Sequence, residues 1–289
     1  MQKVIFGTVI YKQAIKFVKE FIECLSNQTT KDFDLLFIND NLTNKDISEL
    51  SDKLCQNGFE NRFYVIQGVS KTGCLSDFRI QLLLEAYERK YDLLIIGDID
   101  DLFSTNRVEV ITNVCLKNQN ILFFYNNLID YKGNIVLKEL PKEVHTVREI
   151  SQCNFLGMSN TAINLKHISK TDIESLYQGS CNIFDWYLYS RLLLLGGKGL
   201  LVEDAETIYR IYEGNIAGIQ GNCIKEIERE KEIKISHYQR LEPFSEMFTI
   251  YKNEVMKIIV DETFYKTNYF NENEQGYWWN NIRLEEKDV

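Results

Sequence analysis

Between residues 4 and 101 the apolar positions switch repeatedly from short continuous runs to a helical period. Val4 to Val9 is an apolar, β-branched run of the kind that forms a buried strand. Ala14, Ile15, Phe17, Val18, Phe21, Ile22 and Leu25 follow at helical spacing, with Lys and Glu between them. Phe33 to Ile38 reads as a second strand ending in Asn39-Asp40-Asn41. Ile47, Leu50 and Leu54 place an apolar stripe on the next helix, which closes near Asn57-Gly58. Phe63 to Ile66 is a third strand, and a helix over 76–89 leads to a fourth, Leu93 to Gly97. Strand–helix alternation of this kind predicts an α/β fold, a doubly wound, mostly parallel sheet covered by helices.

Beyond residue 101 the pattern loosens. Val108 to Leu116 reads as a helix and Ile121 to Tyr125 as a strand, while 126–150 reads as a hairpin and loop around Lys132-Gly133-Asn134. Ala162 to Leu165 is a short strand, Phe184 to Leu195 a helix, and Gly199 to Val202 and Thr207 to Ile211 are extended. Glu213 to Asn222 carries Gly214, Gly218 and Gly221 and reads as a loop, either a lid or a plain linker. From Ile224 a charged helix leads to an aromatic, Asn-rich tail, Tyr265 to Arg283, in which Trp278-Trp279 reads most simply as packing. This divides the chain into a main α/β domain, 1–215, and a C-terminal helical extension, 216–289.

Composition narrows the function more than the fold. A net charge of −9 argues against nucleic acid as a partner, because phosphate contacts need a basic surface. The seven cysteines (24, 55, 74, 115, 153, 181, 223) are odd in number and contain no C-x-x-C pair. They read as reduced thiols in a cytoplasmic protein rather than as a disulfide framework. The N-terminus enters a strand directly, and no apolar stretch has the length of a membrane span.

The run Leu93-Leu94-Ile95-Ile96-Gly97-Asp98-Ile99-Asp100-Asp101 gathers three carboxylates at the end of an apolar strand. Crowded carboxylates repel one another and lose hydration, and a divalent cation with a preference for oxygen ligands compensates them. On an extended segment Asp98 and Asp100 point the same way while Ile99 turns into the core. The open alternative is a solvated acidic turn. Asp40 ends another strand, where it either contacts a ligand or initiates a turn. Asp185 precedes an apolar helix, where it is either a base or a cap.

In that order, the first strand, Asn39-Asp40-Asn41 and Asp98-Ile99-Asp100-Asp101 resemble the family 2 glycosyltransferases of GT-A fold. Lys71-Thr72-Gly73 through Ser76-Asp77-Phe78-Arg79 is similar to a degenerate form of the family's Gly-then-Arg-Asn helix start. Phe184-Asp185-Trp186-Tyr187-Leu188 with Arg191 resembles its E-D-W helix. Thr207 to Tyr212 with Asn215 resembles its late Tyr-Arg-x-His segment, with Tyr212 where His is common. The resemblance covers 3–215. It implies a nucleobase contact at Asp40 and further donor contacts at Thr8, Arg79, Asp98 and Arg210. It also implies Mg2+ or Mn2+ held by Asp100 and Asp98, and Asp185 as the catalytic base.

The expected activity is inverting transfer of a hexosyl or N-acetylhexosaminyl group from a nucleoside-diphosphate sugar, UDP-sugar favoured, to an acceptor hydroxyl. The acceptor would be a glycan, lipid-linked or protein species in bacterial-type surface glycan or glycoprotein assembly, with peripheral contact at the inner face of a membrane as an option. Two rivals are weaker. A haloacid-dehalogenase phosphatase needs Thr or Val where Leu102 stands, and a retaining family 8 enzyme has a His-Gly…Lys-Pro-Trp segment without a counterpart here. A catalytically degenerate sugar-nucleotide binder is the non-enzymatic alternative.

Overall fold

The computed structural model describes residues 2–179, 183–210, 224–264 and 275–285. Nine strands among them form one sheet: β1 Val4–Tyr11, β2 Asp34–Asp40, β3 Phe63–Gln67, β4 Leu93–Ile96, β5 Leu102–Phe103, β6 Phe123–Ile129, β7 Glu143–Val144, β8 Thr161–Asn164 and β9 Gly199–Ile208. The helices are α1 Val18–Ser26, α2 Asn44–Gln56, α3 Ser76–Glu88, α4 Arg107–Lys117, α5 Lys170–Ser175, α6 Phe184–Leu194, α7 Ile224–Leu241 and α8 Glu246–Lys257. The sheet order is β3-β2-β1-β4-β8-β6-β9-β5, with β7 also on β9.

The expected α/β sheet with helices on both faces is present. Val4, Phe6 and Ile10 of β1 pack with Phe21, Leu25, Leu50, Leu54, Val108 and Ile111 from α1, α2 and α4. Ile5 shares the opposite face with Ile80, Leu83, Tyr187 and Leu192 from α3 and α6. That division follows from the two-residue period of a strand. Ile227, Tyr238, Phe248 and Val255 of α7 and α8 join this second core, so the C-terminal helices share apolar packing with the sheet. The division proposed between 215 and 216 falls outside the described residues.

Several elements differ in detail from the sequence pattern. The first helical stretch opens as a 3-10 turn, Lys12–Phe17, before α1. The extended piece at 199–202 and the start of that at 207–211 belong to one strand, β9, which ends at Ile208 and runs parallel to β6 through a register shift between Tyr125 and Asn127; residue 211 lies outside the described residues. β6 continues to Ile129, and the turn around Gly133 (φ 82°) follows it, with a single bridge from Ile129 to Ile135. β8 inserts antiparallel between β4 and β6. Local apolar patterning carries no signal for that insertion, because a short buried strand reads the same in either direction.

One register positions the site. β1 and β4 pair only from Val4↔Leu93 to Gly7↔Ile96. β1 runs on to Tyr11 beside β2, whereas β4 stops at Ile96, just before Gly97. A Cβ on Gly97 would lie 2.4 Å from Phe103 and 2.6 Å from Phe6, so only glycine fits where the chain leaves the sheet. The chain winds outward from β1 to β3 and returns at β4, which leaves a crevice at the carboxyl ends of the strands.

Candidate active site

The crevice holds a cleft of about 520 Å³. Asp40 from the end of β2, Arg79 from the first turn of α3, Asp98 and Asp100 after β4, and Asp185 from the first turn of α6 all line it. These five sequence-predicted residues, up to 145 positions apart by number (Asp40 to Asp185), converge on one space.

The acidic segment is a turn rather than the extended strand end that the sequence suggests. The Asp101 N–H donates to the Asp98 carbonyl at 3.1 Å, and β4 has already ended at Ile96. The turn still buries Ile99 (1% exposed) and turns Asp98 and Asp100 to the cleft. Asp98 accepts from Arg79 Nη2 at 3.2 Å, and its own N–H donates to Ser159 Oγ at 3.1 Å. Burial pushes its carboxyl up, Arg79 opposes this, and the neighbouring Asp100 adds to it. Asp101 is almost fully buried, and burial with the charges of Asp100 and Asp98 pushes it well above the usual carboxylate range.

Two arginines flank this turn, Arg107 on the segment before it and Arg210 on the turn itself. Arg107 at the start of α4 is fully buried, and its Nη2 donates to the carbonyls of Ile96 and Ser159 at 3.0 Å each. Its Nε donates to Asn126 Oδ1 at 3.0 Å, and burial brings its pKa down to about 9. Arg210, expected at the diphosphate, lies on the α1 side of the acidic turn. Its backbone N–H donates to Asp101 Oδ1 at 2.9 Å, its Nε to the Asp100 carbonyl at 2.8 Å and its Nη2 to Glu20 at 2.6 Å. Its guanidinium also sits 4.5 Å from the Phe17 ring and 4.8 Å from that of Tyr131.

Thr8 is 1% exposed and stands out of register with the cleft-lining Val9 and Tyr11, on the side of Phe6 and Ile10. Asp77 is buried and accepts from Ser70 Oγ and from the Thr72 N–H and hydroxyl, which ties the Lys71-Thr72-Gly73 loop to the start of α3. Tyr212, Asn215 and the glycine-bearing stretch 213–222 lie outside the described residues.

Asp185 lies in the first turn of α6 and is not its N-cap residue, which is Ile183. The Asp185 Oδ1 accepts from the Trp186 N–H at 2.7 Å, which satisfies a first-turn donor of α6. Its carboxyl also lines the cleft and is pushed up to about 6. Burial is the main cause, opposed by Arg79 and the Trp186 N–H and assisted by Asp98. Trp186 itself belongs to the core: it is fully buried, donates to the Ile150 carbonyl at 2.6 Å and stacks on His237 at 3.9 Å.

Sequence reasoning missed the far wall of the cleft. Met158, Tyr209, Trp278 and Trp279 line it. Trp278 reaches it through a backbone bridge to Asn154, with N–H to carbonyl distances of 2.9 and 2.8 Å. Glu230 of α7 holds the following turn by accepting from the N–H groups of Asn281 (3.0 Å) and Ile282 (2.8 Å). Lys234, also buried, donates to the Ile282 carbonyl at 2.5 Å and to that of Gln152.

The whole architecture can be compared with solved structures. Staphylococcus aureus TarS, residues 1–349 in complex with UDP-GlcNAc, superposes with a TM-score of 0.56 at 14% identity, covering 91% of this chain and 78% of that one. The fold is that of the GT-A glycosyltransferases. The same GT-A frame is found in the Pyrobaculum calidifontis mannosyltransferase PcManGT in complex with GDP-Man and Mn2+, with a TM-score of 0.52 at 10% identity over 91% of this chain and 67% of that one. In sequence, 152 residues are 30% identical to an uncharacterized glycosyltransferase of Methanocaldococcus jannaschii, which is 50% of this chain and 48% of that protein. The match thus spans about half the length of that curated relative. No protein-family profile matches the chain.

Among the described residues no group of three His, Cys, Asp or Glu side chains is arranged to hold a metal. Asp98 and Asp100 nevertheless offer two hard oxygen donors at the cleft. That donor set suits Mg2+ or Mn2+, which commonly bind through one or two carboxylates and complete their shell with substrate phosphates and water. No helix among the described residues is long and apolar enough to cross a membrane.

Proposed function

We propose that this protein is an inverting glycosyltransferase that moves a hexosyl or N-acetylhexosaminyl group from a nucleoside-diphosphate sugar, UDP-sugar favoured, to an acceptor hydroxyl. The observation that carries this reading is the convergence of Asp40, Arg79, Asp98, Asp100 and Asp185 on one cleft at the carboxyl ends of the sheet. Solved structures of the same fold hold UDP-GlcNAc in one case and GDP-Man with Mn2+ in another.

In this reading Asp40 receives the nucleobase at one end, and the diphosphate lies over Asp98 and Asp100. A divalent cation bound by those two carboxylates would supply charge stabilisation to the departing diphosphate. Arg79, 3.2 Å from Asp98, holds that carboxylate in place and adds positive charge beside the phosphates. Asp185 takes the proton of the acceptor hydroxyl, and a pKa near 6 leaves it ionised at neutral pH while keeping it more basic than an exposed carboxylate. The attacking oxygen approaches the anomeric carbon from the face opposite the diphosphate, which inverts it. Arg210 holds the acidic turn and Arg107 the segment before it, both from outside the cleft.

A panel of UDP- and GDP-sugars with Mg2+ or Mn2+ tests this. The expected result is a rise in melting temperature with a subset of donors and release of free nucleotide on turnover, because a ligand that binds only the folded state raises apparent stability. Binding without nucleotide release under any acceptor would favour the degenerate binder, and retention at the anomeric carbon would refute inversion.

A further inference from the structure

We infer that the wall formed by Trp278 and Trp279 is a saccharide subsite, so that the acceptor is the hydroxyl of a sugar ring rather than a lipid phosphate or a protein side chain. This inference rests on the reading of the cleft as a glycosyl-transfer site and adds the chemical class of the acceptor to it.

Three observations converge. Asp40, Asp98, Asp100 and Asp185 line one cleft, and Trp278 and Trp279 line the same space. An acceptor that gives its proton to Asp185 therefore enters a space bounded by these indoles. The two rings are fixed in advance of any ligand. The Asn154 bridge sits on one side and the Glu230 and Lys234 contacts to residues 281 and 282 on the other, while Gly157 leaves room for the Trp278 ring, which would come within 3.0 Å of a Cβ there. Trp279 is held at φ 59°, a left-handed conformation that a bulky side chain rarely adopts unless its surroundings impose it.

The third observation concerns hydrogen bonding. Trp186, buried in the core, gives its indole N–H to a carbonyl. The indole N–H groups of Trp278 and Trp279 donate to no acceptor among the described residues, although the two residues are only 9% and 8% exposed; neither nitrogen is among the fully buried unpartnered polar atoms, so both still reach solvent. A mostly buried indole normally finds an acceptor for its N–H. A sugar supplies what this wall asks for, since its C–H face packs on aromatic carbon and its hydroxyls accept from indole nitrogen.

The test compares the wild type with Trp279→Ala and the milder Trp278→Phe, each first shown to melt cooperatively and to bind UDP. Wild-type protein with labelled UDP-sugars is offered a printed array of neutral oligosaccharides, a polyprenyl phosphate and Ser/Thr peptides. The expected result is transfer to a saccharide, with the acceptor KM raised roughly tenfold or more in Trp279→Ala and the donor KM little changed. Tryptophan fluorescence, read with the same oligosaccharides, should change saturably in the wild type and not in Trp279→Ala, whether or not turnover occurs. Transfer only to the polyprenyl phosphate or the peptides, an acceptor KM unmoved in both variants, or no fluorescence response to any saccharide would overturn the inference. Absence of both donor binding and nucleotide release would instead refute the glycosyl-transfer reading, and the fluorescence result would still decide whether the wall binds sugar.

Discussion

Arg210 holds Asp100 by its backbone: Nε donates to the Asp100 carbonyl at 2.8 Å, while the Asp100 carboxylate lines the cleft on the other side of the turn. The guanidinium is anchored in turn by Glu20 of α1. Arg210 is thus a positioning residue for the acidic turn. Arg210→Ala should lower kcat by roughly 10- to 100-fold, the scale expected when a reacting group is misplaced by about an ångström. Steady-state kinetics with the donor KM measured separately checks this; a large rise in donor KM at unchanged kcat would assign the guanidinium to the phosphates instead.

Asp100→Asn keeps the size of the side chain and removes a hard anionic donor. Turnover should fall by roughly 100-fold or more, in the range seen when one group that stabilises transition-state charge is removed. The melting temperature should stay within a few degrees of wild type. The wild type should lose activity in excess chelator and regain it with Mn2+ or Mg2+. Full activity in chelator would refute a metal-held diphosphate.

Asp185 sets a pH dependence whose sign follows from its carboxyl being pushed up to about 6. A base must be ionised to accept a proton, so kcat/KM for transfer should be flat above that pH and fall roughly tenfold per unit below it. Asp185→Asn should remove that limb along with most of the rate, while UDP binding persists. Folding carries the opposite signature. A carboxyl whose pKa is raised by folding destabilises the native state once it ionises, fully so above about pH 6 and not at all below its unfolded value. Asp185→Asn should therefore be the more stable protein at pH 8, by urea denaturation, with the advantage gone in acid.

Glu230 and Lys234 are 2% and 1% exposed, one helical turn apart on α7, and between them hold residues 281 and 282. Glu230→Gln leaves Lys234 without its counter-charge in the interior and should cost about 3–5 kcal/mol of stability. Replacing both, Glu230→Gln with Lys234→Met, should cost less than the sum of the two single changes. A double-mutant cycle in urea reads this coupling directly.

The part of the cleft formed by Asp40 and the acidic turn was legible in the sequence because its signals are local. Asp40 and the Asp98–Asp101 run each sit at the end of an apolar strand, and parallel strands of one sheet bring such ends to the same edge. Asp185 was legible as a pair of alternatives, base or cap; it accepts from the Trp186 N–H within its own first turn and lines the cleft, while Ile183 is the N-cap residue. The rest depended on partners far away in sequence. The direction in which Arg210 points is set by Glu20 and Phe17, 190 and 193 positions earlier, which no local pattern encodes. Arg107 looks in sequence like an ordinary first-turn cation, and only the crowding of β4, β6 and β8 around it makes it a buried brace. Trp278 and Trp279 follow a stretch without periodicity, and nothing near them in the chain predicts the bridge to Asn154 that carries them to the cleft.

That bridge also imposes an order of events during synthesis. Asn154 and Trp278 are 124 positions apart, so the backbone pairing that completes the far wall cannot form until nearly all of α1–α8 has left the ribosome. The strands that carry Asp40 and Asp98 pair over far shorter separations and are available much earlier. Because closing a long loop adds only a small entropic cost once its ends are otherwise anchored, the late step is delayed by translation more than by thermodynamics. A nascent chain therefore passes through a stage at which the edge bearing Asp40 and Asp98 can already be assembled while the wall bearing Trp278 is still missing.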